Sequence, residues 1–260
     1  MRRPEIGLLL VDALNLIRRV HAARREHTTD TAADQSVEAC VQSLKRALTE
    51  CAPSHAVCVF EGAGSSFRSA LYPGYKAGRP PMPDDLQQCL PDIKEAFLRA
   101  GVQSIEVTGM EADDIIATLA VKTAARKGTA TILSTDKTFL QLLSGSIRVR
   151  DHFTRSYLDQ AYVLDKFQVS STQLPDLLAL AGDPTNSIPG IPSVGRKTAA
   201  RLLREYPSLE SVLANASLVA GAAGRSLLEH RSEALLFKSL LVLKKDVELG
   251  VNLRSFRYGQ

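Results

Sequence analysis

Several features that would assign a function at once are missing from this sequence of 260 residues. Tryptophan is absent and aromatic residues make up only 5%, so a row of rings for stacking single-stranded bases is not indicated. The four cysteines, Cys40, Cys51, Cys58 and Cys89, form no CxxC pair, which argues against a disulfide framework and a zinc site. The phosphate-binding loop G-x-x-x-x-G-K-[ST] is also missing, so a nucleoside triphosphatase is not indicated.

Long hydrophobic runs are missing too. The apolar run near the start, residues 6–11, is too short to cross a bilayer. Asp12 follows it where a signal peptide would have small residues, so we expect a cytoplasmic protein with no membrane partner. The composition, 45% hydrophobic and 23% charged, is typical of a globular protein, and the net charge of +4 favours a nucleic-acid partner only weakly.

Short apolar runs alternate with helical patterns up to about residue 160, which predicts a mostly parallel sheet with flanking helices, an α/β fold. Predicted strands cover residues 6–12, 55–61, 103–107, 129–134 and 146–150, and predicted amphipathic helices cover 36–51 and 111–128. Beyond 160, helical patterns dominate at 172–182, 196–206, 207–215 and 224–245. We therefore expect an α/β domain over residues 1–160 and a smaller helical domain over 161–260.

Acidic residues collect where the predicted strands end and where one helix begins. These residues are Asp12, Glu61, Glu111, Asp113, Asp114 and Asp136. Each alone would be a helix cap or a loop carboxylate, but the carboxyl ends of parallel strands meet at one edge. Two carboxylates about 4 Å apart repel by about 4 kcal/mol at an effective dielectric constant near 20. Such a cluster requires a cation, and oxygen ligands favour Mg²⁺ or Mn²⁺, which equip a site for phosphoryl-transfer hydrolysis.

Two other segments suit a polyanionic substrate. Residues 62–83 contain three cations and no acid, which indicates either an electrostatic guide or a solvated loop. Further on, Gly190 and Gly195 permit positive φ angles in a turn before a basic helix that starts near Arg196. A turn of this kind is either a plain loop-to-helix junction or a phosphate site built from helix N–H groups, and we favour phosphate binding.

The motifs together resemble those of the bacterial 5′ nuclease and flap endonuclease family, which includes the 5′ nuclease domain of DNA polymerase I. The resemblance rests on LLVDALNLIRR, FEGAGSSFRSALYPGYKAGRPPMP, GMEADDIIATLA, STDKTFLQLL and LAGDPTNSIPGIPSVGRKTAARLL, which follow one another over nearly the whole chain. It implies a PIN-like nuclease core with an arch or clamp at 62–83, and a helix–three-turn–helix (helix–hairpin–helix) motif at 174–206.

The resemblance also implies an activity and a site. The activity is Mg²⁺-dependent hydrolysis of phosphodiesters, with Mn²⁺ as a substitute, at single-strand/duplex DNA junctions such as a 5′ flap. The metal would be centred on Asp113, with help from Asp12, Glu61, Glu111 and Asp114, and Asp136 would complete the catalytic acids. Lys76 and Arg79 would contact substrate phosphates, as would Arg18 or Arg19. We expect the protein to act as a monomer.

The hairpin would bind K⁺ and the DNA backbone, again by resemblance. The K⁺ ligands would be the backbone carbonyls of Leu180, Ala181, Pro189, Ile191 and Val194. The DNA contacts would come from Ser193, Val194, Gly195, Arg196, Lys197 and Thr198.

The sequence departs from the family pattern at three positions. Thr138 and Asn186 stand where family members with two well-held metals carry Asp, and Glu61 replaces another Asp. The second metal site thus lacks two carboxylates. One alternative is therefore a junction-binding protein with weak or vestigial catalysis, and another is an RNA-cutting nuclease on a similar sheet.

Overall fold

A single six-stranded sheet organises the first two-thirds of the chain. The computed structural model describes residues 6–25 and 33–259. Its strands are β1 (Gly7–Asp12), β2 (His55–Val59), β3 (Gln103–Ile105), β4 (Thr129–Leu133), β5 (Ile147–Arg150) and β6 (Tyr157–Leu158). The first five are parallel and lie within the five predicted strands, and β6 pairs antiparallel with β5. With only two residues, β6 is too short to show a pattern in the sequence.

Helices surround the sheet and make up most of the second domain. The first domain has α1 (Ala13–Arg25), α2 (Ala33–Cys51), α3 (Phe67–Leu71), α4 (Asp84–Arg99) and α5 (Ala112–Ala125). The rest of the chain has α6 (Gln160–Phe167), α7 (Leu174–Ala181), α8 (Arg196–Glu205), α9 (Leu209–Ala214), α10 (Gly221–Glu229) and α11 (Arg231–Leu241). The pattern predicted over 224–245 is in fact two helices, because His230 between them has a non-helical backbone, with φ −104° and ψ 30°.

The two faces of the sheet bury two hydrophobic clusters. Because side chains alternate along a strand, Leu9 and Val11 of β1 pack in a cluster with α1, α2 and α4, whereas Leu8 and Leu10 face α5. The cluster on the α5 side continues into the helical domain through residues such as Leu177. The second domain therefore packs on the α5 side of the sheet.

Strand order places a crevice at the edge where the acids were predicted. The order is β3-β2-β1-β4-β5-β6, so the chain builds outward from β1 in one direction and from β4 in the other. Open α/β sheets bind ligands at such a switch point, beyond the carboxyl ends of the strands. Asp12 is the last residue of β1, and β4 ends three residues before Asp136.

Two absences concern the part of the chain described. No helix within residues 6–25 and 33–259 combines the length and the hydrophobicity needed to cross a membrane. The four cysteines, which all lie in those ranges, form no disulfide bond.

Candidate metal centre and nucleic-acid interface

Four predicted acids meet beyond the ends of β1, β2 and β4. Ser134 connects two of them, since its hydroxyl donates to Asp12 Oδ2 at 2.7 Å and accepts from the backbone N–H of Asp136 at 3.0 Å. Glu61 reaches the start of α5 and accepts from the backbone N–H of Ala112 at 3.1 Å. Asp113 lies in the first turn of α5, close enough for the charges of Asp12, Asp136 and Glu61 to repel its carboxylate.

Two carboxyls of this acid cluster (Asp12, Glu61, Asp113 and Asp136) have raised pKa values. Burial, opposed by Lys76 but reinforced by the other three carboxylates, raises the pKa of Asp113 to about 8. Burial and the charges of Asp136 and Glu61 raise the pKa of Asp12 to about 6 despite the hydrogen bond from Ser134. Two carboxyls that resist ionisation among oxygen-only donors fit a divalent cation.

The cluster is not, however, closed around a single point. Among the residues that the structure describes, no three acidic, histidine or cysteine side chains are positioned to hold one ion together. Metal-assisted hydrolysis uses an ion whose coordination is completed by water or by a substrate oxygen.

Lys76, predicted to contact substrate phosphates, lies against the acid cluster. Its ammonium is 2.5 Å from Glu111 Oε2 and 3.5 Å from Asp113 Oδ2. Tyr75 donates its hydroxyl to the same Glu111 oxygen at 3.2 Å. Although burial opposes ionisation of Glu111, Lys76 and Arg68 outweigh it and hold the pKa of Glu111 at about 2. Glu111 is therefore an ion-pair partner of Lys76 in this arrangement.

The backbone of Lys76 is unusual and is held from the second domain. Lys76 has φ +56°, in the left-handed region that a side chain disfavours. Its N–H donates to the carbonyl of Asn186 at 2.9 Å. Gly78, two residues later, donates its N–H to Ser187 Oγ at 3.1 Å. The segment 62–83 is thus fastened to the hairpin region at Lys76 itself.

Asp114, which was predicted as a metal ligand and a catalytic acid, is paired with an arginine in this structure. The side chain is 1% exposed and makes a two-pronged ion pair with Arg68, at 2.7 and 2.8 Å. Consecutive residues of a helix point about 100° apart, so Asp113 and Asp114 cannot both face the cluster. Asp114 shares its helix face with Glu111, which also contacts Arg68.

The predicted phosphate-binding arginines have other partners in this structure. Arg79 donates to the carbonyl of Thr185 at 3.2 Å and to Asn186 Oδ1 at 3.0 Å. Arg18 donates to the carbonyl of Pro80 at 3.4 Å, and Arg19 lies over the ring of Phe153. Of the latter two, Arg18 is the one beside segment 62–83.

Two of the three departures from the family pattern, Thr138 and Asn186, have clear structural roles. The hydroxyl of Thr138 donates to Asp136 Oδ1 at 2.7 Å. The amide of Asn186 donates to Asp183 Oδ2 at 2.8 Å, and Lys137 donates to Asp183 Oδ1 at 2.6 Å. Sequence reasoning missed Lys137, although its place directly after Asp136 in STDK was a signal.

The predicted hairpin connects α7 and α8, and its turn is tight. Gly190 has φ +77°, and a Cβ there would lie 2.6 Å from the carbonyl carbon of Ala181. Gly195, which also permits a positive φ, is the N-cap of α8 with φ −77°. Ser193 takes the left-handed conformation instead, at φ +62°.

The predicted K⁺ ligands line up along the two sides of this turn. Ile191 donates its N–H to the Leu180 carbonyl at 2.8 Å, and Val194 donates to the Ile191 carbonyl at 3.0 Å. Carbonyl oxygens have two lone pairs, so both can still bind an ion. A Cβ at Gly182 would lie 2.6 Å from the Pro189 oxygen, so only glycine leaves that oxygen clear.

The predicted DNA contacts are mostly exposed at the start of α8. Ser193, Gly195, Arg196 and Lys197 are exposed, Thr198 is half-buried, and Val194 is buried, so only its main chain could contact a ligand. Gly195 provides no side-chain cap. The first N–H groups of α8 are therefore available to an anion.

Models of two related domains match the chain in succession. The 5′-3′ exonuclease N-terminal resolvase-like domain matches residues 7–168, and the 5′-3′ exonuclease C-terminal SAM fold matches residues 169–260. The chain belongs to the 5′-3′ exonuclease family. This confirms the predicted family and the predicted fold, and it makes the protein a nuclease, which is a hydrolase.

Curated relatives of this 5′-3′ exonuclease match over nearly their whole length. It is 42% identical over 254 residues to Flap endonuclease Xni of Cronobacter sakazakii, covering 97% of this chain and 98% of the relative. It is 41% identical over 263 residues to Flap endonuclease Xni of Aeromonas hydrophila, covering 99% of this chain and 98% of that one.

Solved structures share the fold at low sequence identity. A T5 5′-exonuclease with bound zinc superposes with a TM-score of 0.76 at 20% identity, covering 90% of this chain and 89% of that one. A pseudo-enzyme-product complex of the T5 D15 flap endonuclease with DNA and metal ions gives a TM-score of 0.74 at 20% identity, covering 90% and 88%.

Proposed function

We propose that this 5′-3′ exonuclease is a Mg²⁺-dependent flap endonuclease that hydrolyses phosphodiesters at single-strand/duplex junctions in DNA. The observation that carries the proposal is the acid cluster, in which the pKa values of Asp113 and Asp12 are raised to about 8 and about 6 next to the ammonium of Lys76. The names of the relatives and the DNA-bound T5 complex support the substrate.

The metal would be centred on Asp113, with Asp12, Glu61 and Asp136 contributing directly or through water. Their carboxylate oxygens suit Mg²⁺ and also Mn²⁺. When bound, it would polarise the phosphate and lower the pKa of a water. Glu111, which is paired with Lys76 at 2.5 Å, would act by holding that ammonium in place.

Lys76 would be the cation that meets the phosphate, since its ammonium lies 3.5 Å from Asp113 Oδ2. Burial opposes its charge, but Asp113 and Glu111 outweigh burial and raise its pKa, so it stays an ammonium at neutral pH. A fixed positive charge there would orient the scissile phosphate and stabilise the negative charge of the transition state. Arg79, bonded to Thr185 and Asn186, would hold the Lys76 loop and contact the substrate backbone with its outer face.

The helical domain would hold the duplex without reading its bases. Phosphates would bind to the N–H groups at the start of α8 and to Arg196 and Lys197, all of which are exposed. A K⁺ ion on the hairpin carbonyls would add a charge beside a phosphate, and the space that Gly182 leaves at Pro189 fits that role. The full set of carbonyls proposed is Leu180, Ala181, Pro189, Ile191 and Val194.

In this scheme residues 1–160 form the catalytic core, with segment 62–83 as its arch, and residues 161–260 bind the duplex. Every group invoked comes from one chain, so the proposed working form is a monomer.

A panel of labelled substrates tests the function. Purified protein is incubated with a DNA 5′ flap, a DNA 3′ flap, single-stranded DNA and an RNA 5′ flap, in Mg²⁺, Mn²⁺ or EDTA. We expect cleavage near the junction of the DNA 5′ flap with either metal and none in EDTA. Stable binding without product would support a junction-binding protein instead, and preferential cutting of the RNA flap would support an RNA nuclease.

A further inference from the structure

Arg68 is a buried charged residue with no role so far in the proposed reaction. It lies on α3, inside segment 62–83, and is 1% exposed. Its Nε donates to the carbonyl of Leu240 at 2.7 Å, and its Nη2 donates to the carbonyl of Val242 at 3.1 Å. These carbonyls belong to the end of α11, where a helix leaves acceptors without intrahelical partners.

The other side of the same guanidinium faces α5, the helix that begins the metal centre. Nη1 and Nη2 form the two-pronged pair with Asp114. Nη1 also lies 3.3 Å from Glu111 Oε1, a buried oxygen with no hydrogen bond of its own. Arg68 thus joins three parts of the molecule, namely segment 62–83, α5 and the end of the helical domain.

Glu111 connects Arg68 to the reaction centre. Its Oε1 faces Arg68 at 3.3 Å and its Oε2 receives Lys76 at 2.5 Å. The carboxylate plane is therefore set by Arg68 at Oε1 and by Lys76 together with the Tyr75 hydroxyl at Oε2. A rotation of Glu111 would move the ammonium of Lys76. A displacement of about 1 Å in such a group can cost about 100-fold in rate.

We infer that Arg68 is a positioning residue for phosphodiester hydrolysis: it sets the orientation of Glu111 and, through Glu111, the position of the Lys76 ammonium. The inference rests on the proposed function. A guanidinium is required because its fork meets Asp114, Glu111 and two carbonyls at once, whereas a lysine ammonium has three donors at one point. The same contacts fix α3 to the helical domain. They therefore hold segment 62–83 in a fixed position relative to the helical domain and to α5.

The test compares variants of Arg68 in the flap cleavage assay. Arg68→Lys keeps the charge and loses the fork, and we expect its kcat to fall about 100-fold while KM and flap binding in EDTA change less than threefold. Arg99→Met is the matched control, because Arg99 is 68% exposed in a surface pair with Glu95; its kcat should stay at the wild-type value. If Arg68→Lys does not fold, Arg68→Met/Asp114→Leu removes both charges of the buried pair and serves in its place.

A double-mutant cycle separates positioning from general support of the fold. If Arg68 acts through Glu111, then Arg68→Lys/Glu111→Gln should cut no more than about threefold more slowly than Glu111→Gln alone. The inference would be overturned if the rate loss of the double mutant equalled the product of the two single-mutant losses, or if a folded Arg68 variant had the wild-type kcat. Either result would leave the proposed function intact. A wild-type protein that does not cut would overturn both.

Discussion

Lowering the pH should weaken Mg²⁺ binding steeply, because protons and the metal compete for the same oxygens. With a pKa of about 8 for Asp113, that carboxyl is about half protonated at pH 8 and about 99% protonated at pH 6. Because Mg²⁺ must displace this proton, the apparent affinity for Mg²⁺ falls about 50-fold from pH 8 to pH 6. Asp12, with a pKa of about 6, contributes a further factor of about two. The product of the two factors is about 100-fold, equivalent to about 2.7 kcal/mol.

Titration calorimetry on the metal-free protein measures this directly. The Mg²⁺ dissociation constant is determined at pH 6, 7 and 8, and buffers of different ionisation enthalpy report the protons released, about one per ion at pH 7. Asp113→Asn has no proton to release at that position, so the variant should lose most of the pH dependence. A wild-type affinity that changes less than threefold from pH 6 to 8 would refute the reasoning.

Two further predictions concern stability, measured by chemical denaturation with the circular dichroism signal. Lys137→Met leaves the wholly buried carboxylate of Asp183 without its cation, and because Lys137 itself is partly exposed we expect a loss of about 1–3 kcal/mol; an unchanged unfolding midpoint would show that the ion pair contributes nothing. Gly190→Ala forces a Cβ to within 2.3 Å of a backbone atom at φ +77°, which should cost more than about 2 kcal/mol and abolish duplex binding in the same preparation. The control Gly145→Ala meets no atom within 4 Å and should match the wild type, so equal losses in the two variants would contradict the account of the turn.

The sheet and the acid cluster could be predicted because each depends on local pattern. Apolar runs marked the five parallel strands, and since parallel strands end at one edge, Asp12 and Asp136 had to approach each other. The helical domain was also visible in the change of pattern near residue 160. The antiparallel β6 and the break at His230 were not visible in the sequence. A strand of two residues is too short to show a periodic pattern, and a single non-helical residue leaves the helical pattern on either side of it unchanged.

The partners of individual side chains could not be predicted. Asp113 and Asp114 are adjacent and chemically alike, and only the orientation of α5 decides that one faces the acid cluster and the other faces Arg68. The role of Arg68 could not be predicted either, because its contacts at Leu240 and Val242 are 172 and 174 residues away. Likewise, the sequence did not show that Ser193, rather than Gly195, adopts the left-handed conformation.

Cleavage by Asp113→Ala tests the central claim most directly. A labelled DNA 5′ flap is incubated in Mg²⁺ with wild type, with Asp113→Ala and with Asp92→Ala, which changes an exposed acid on α4, and flap binding is measured in EDTA. The account predicts that wild type and Asp92→Ala cut alike, whereas Asp113→Ala binds the flap with similar affinity and yields no product. Cleavage by Asp113→Ala at the wild-type rate would contradict the assignment of the acid cluster as the metal centre.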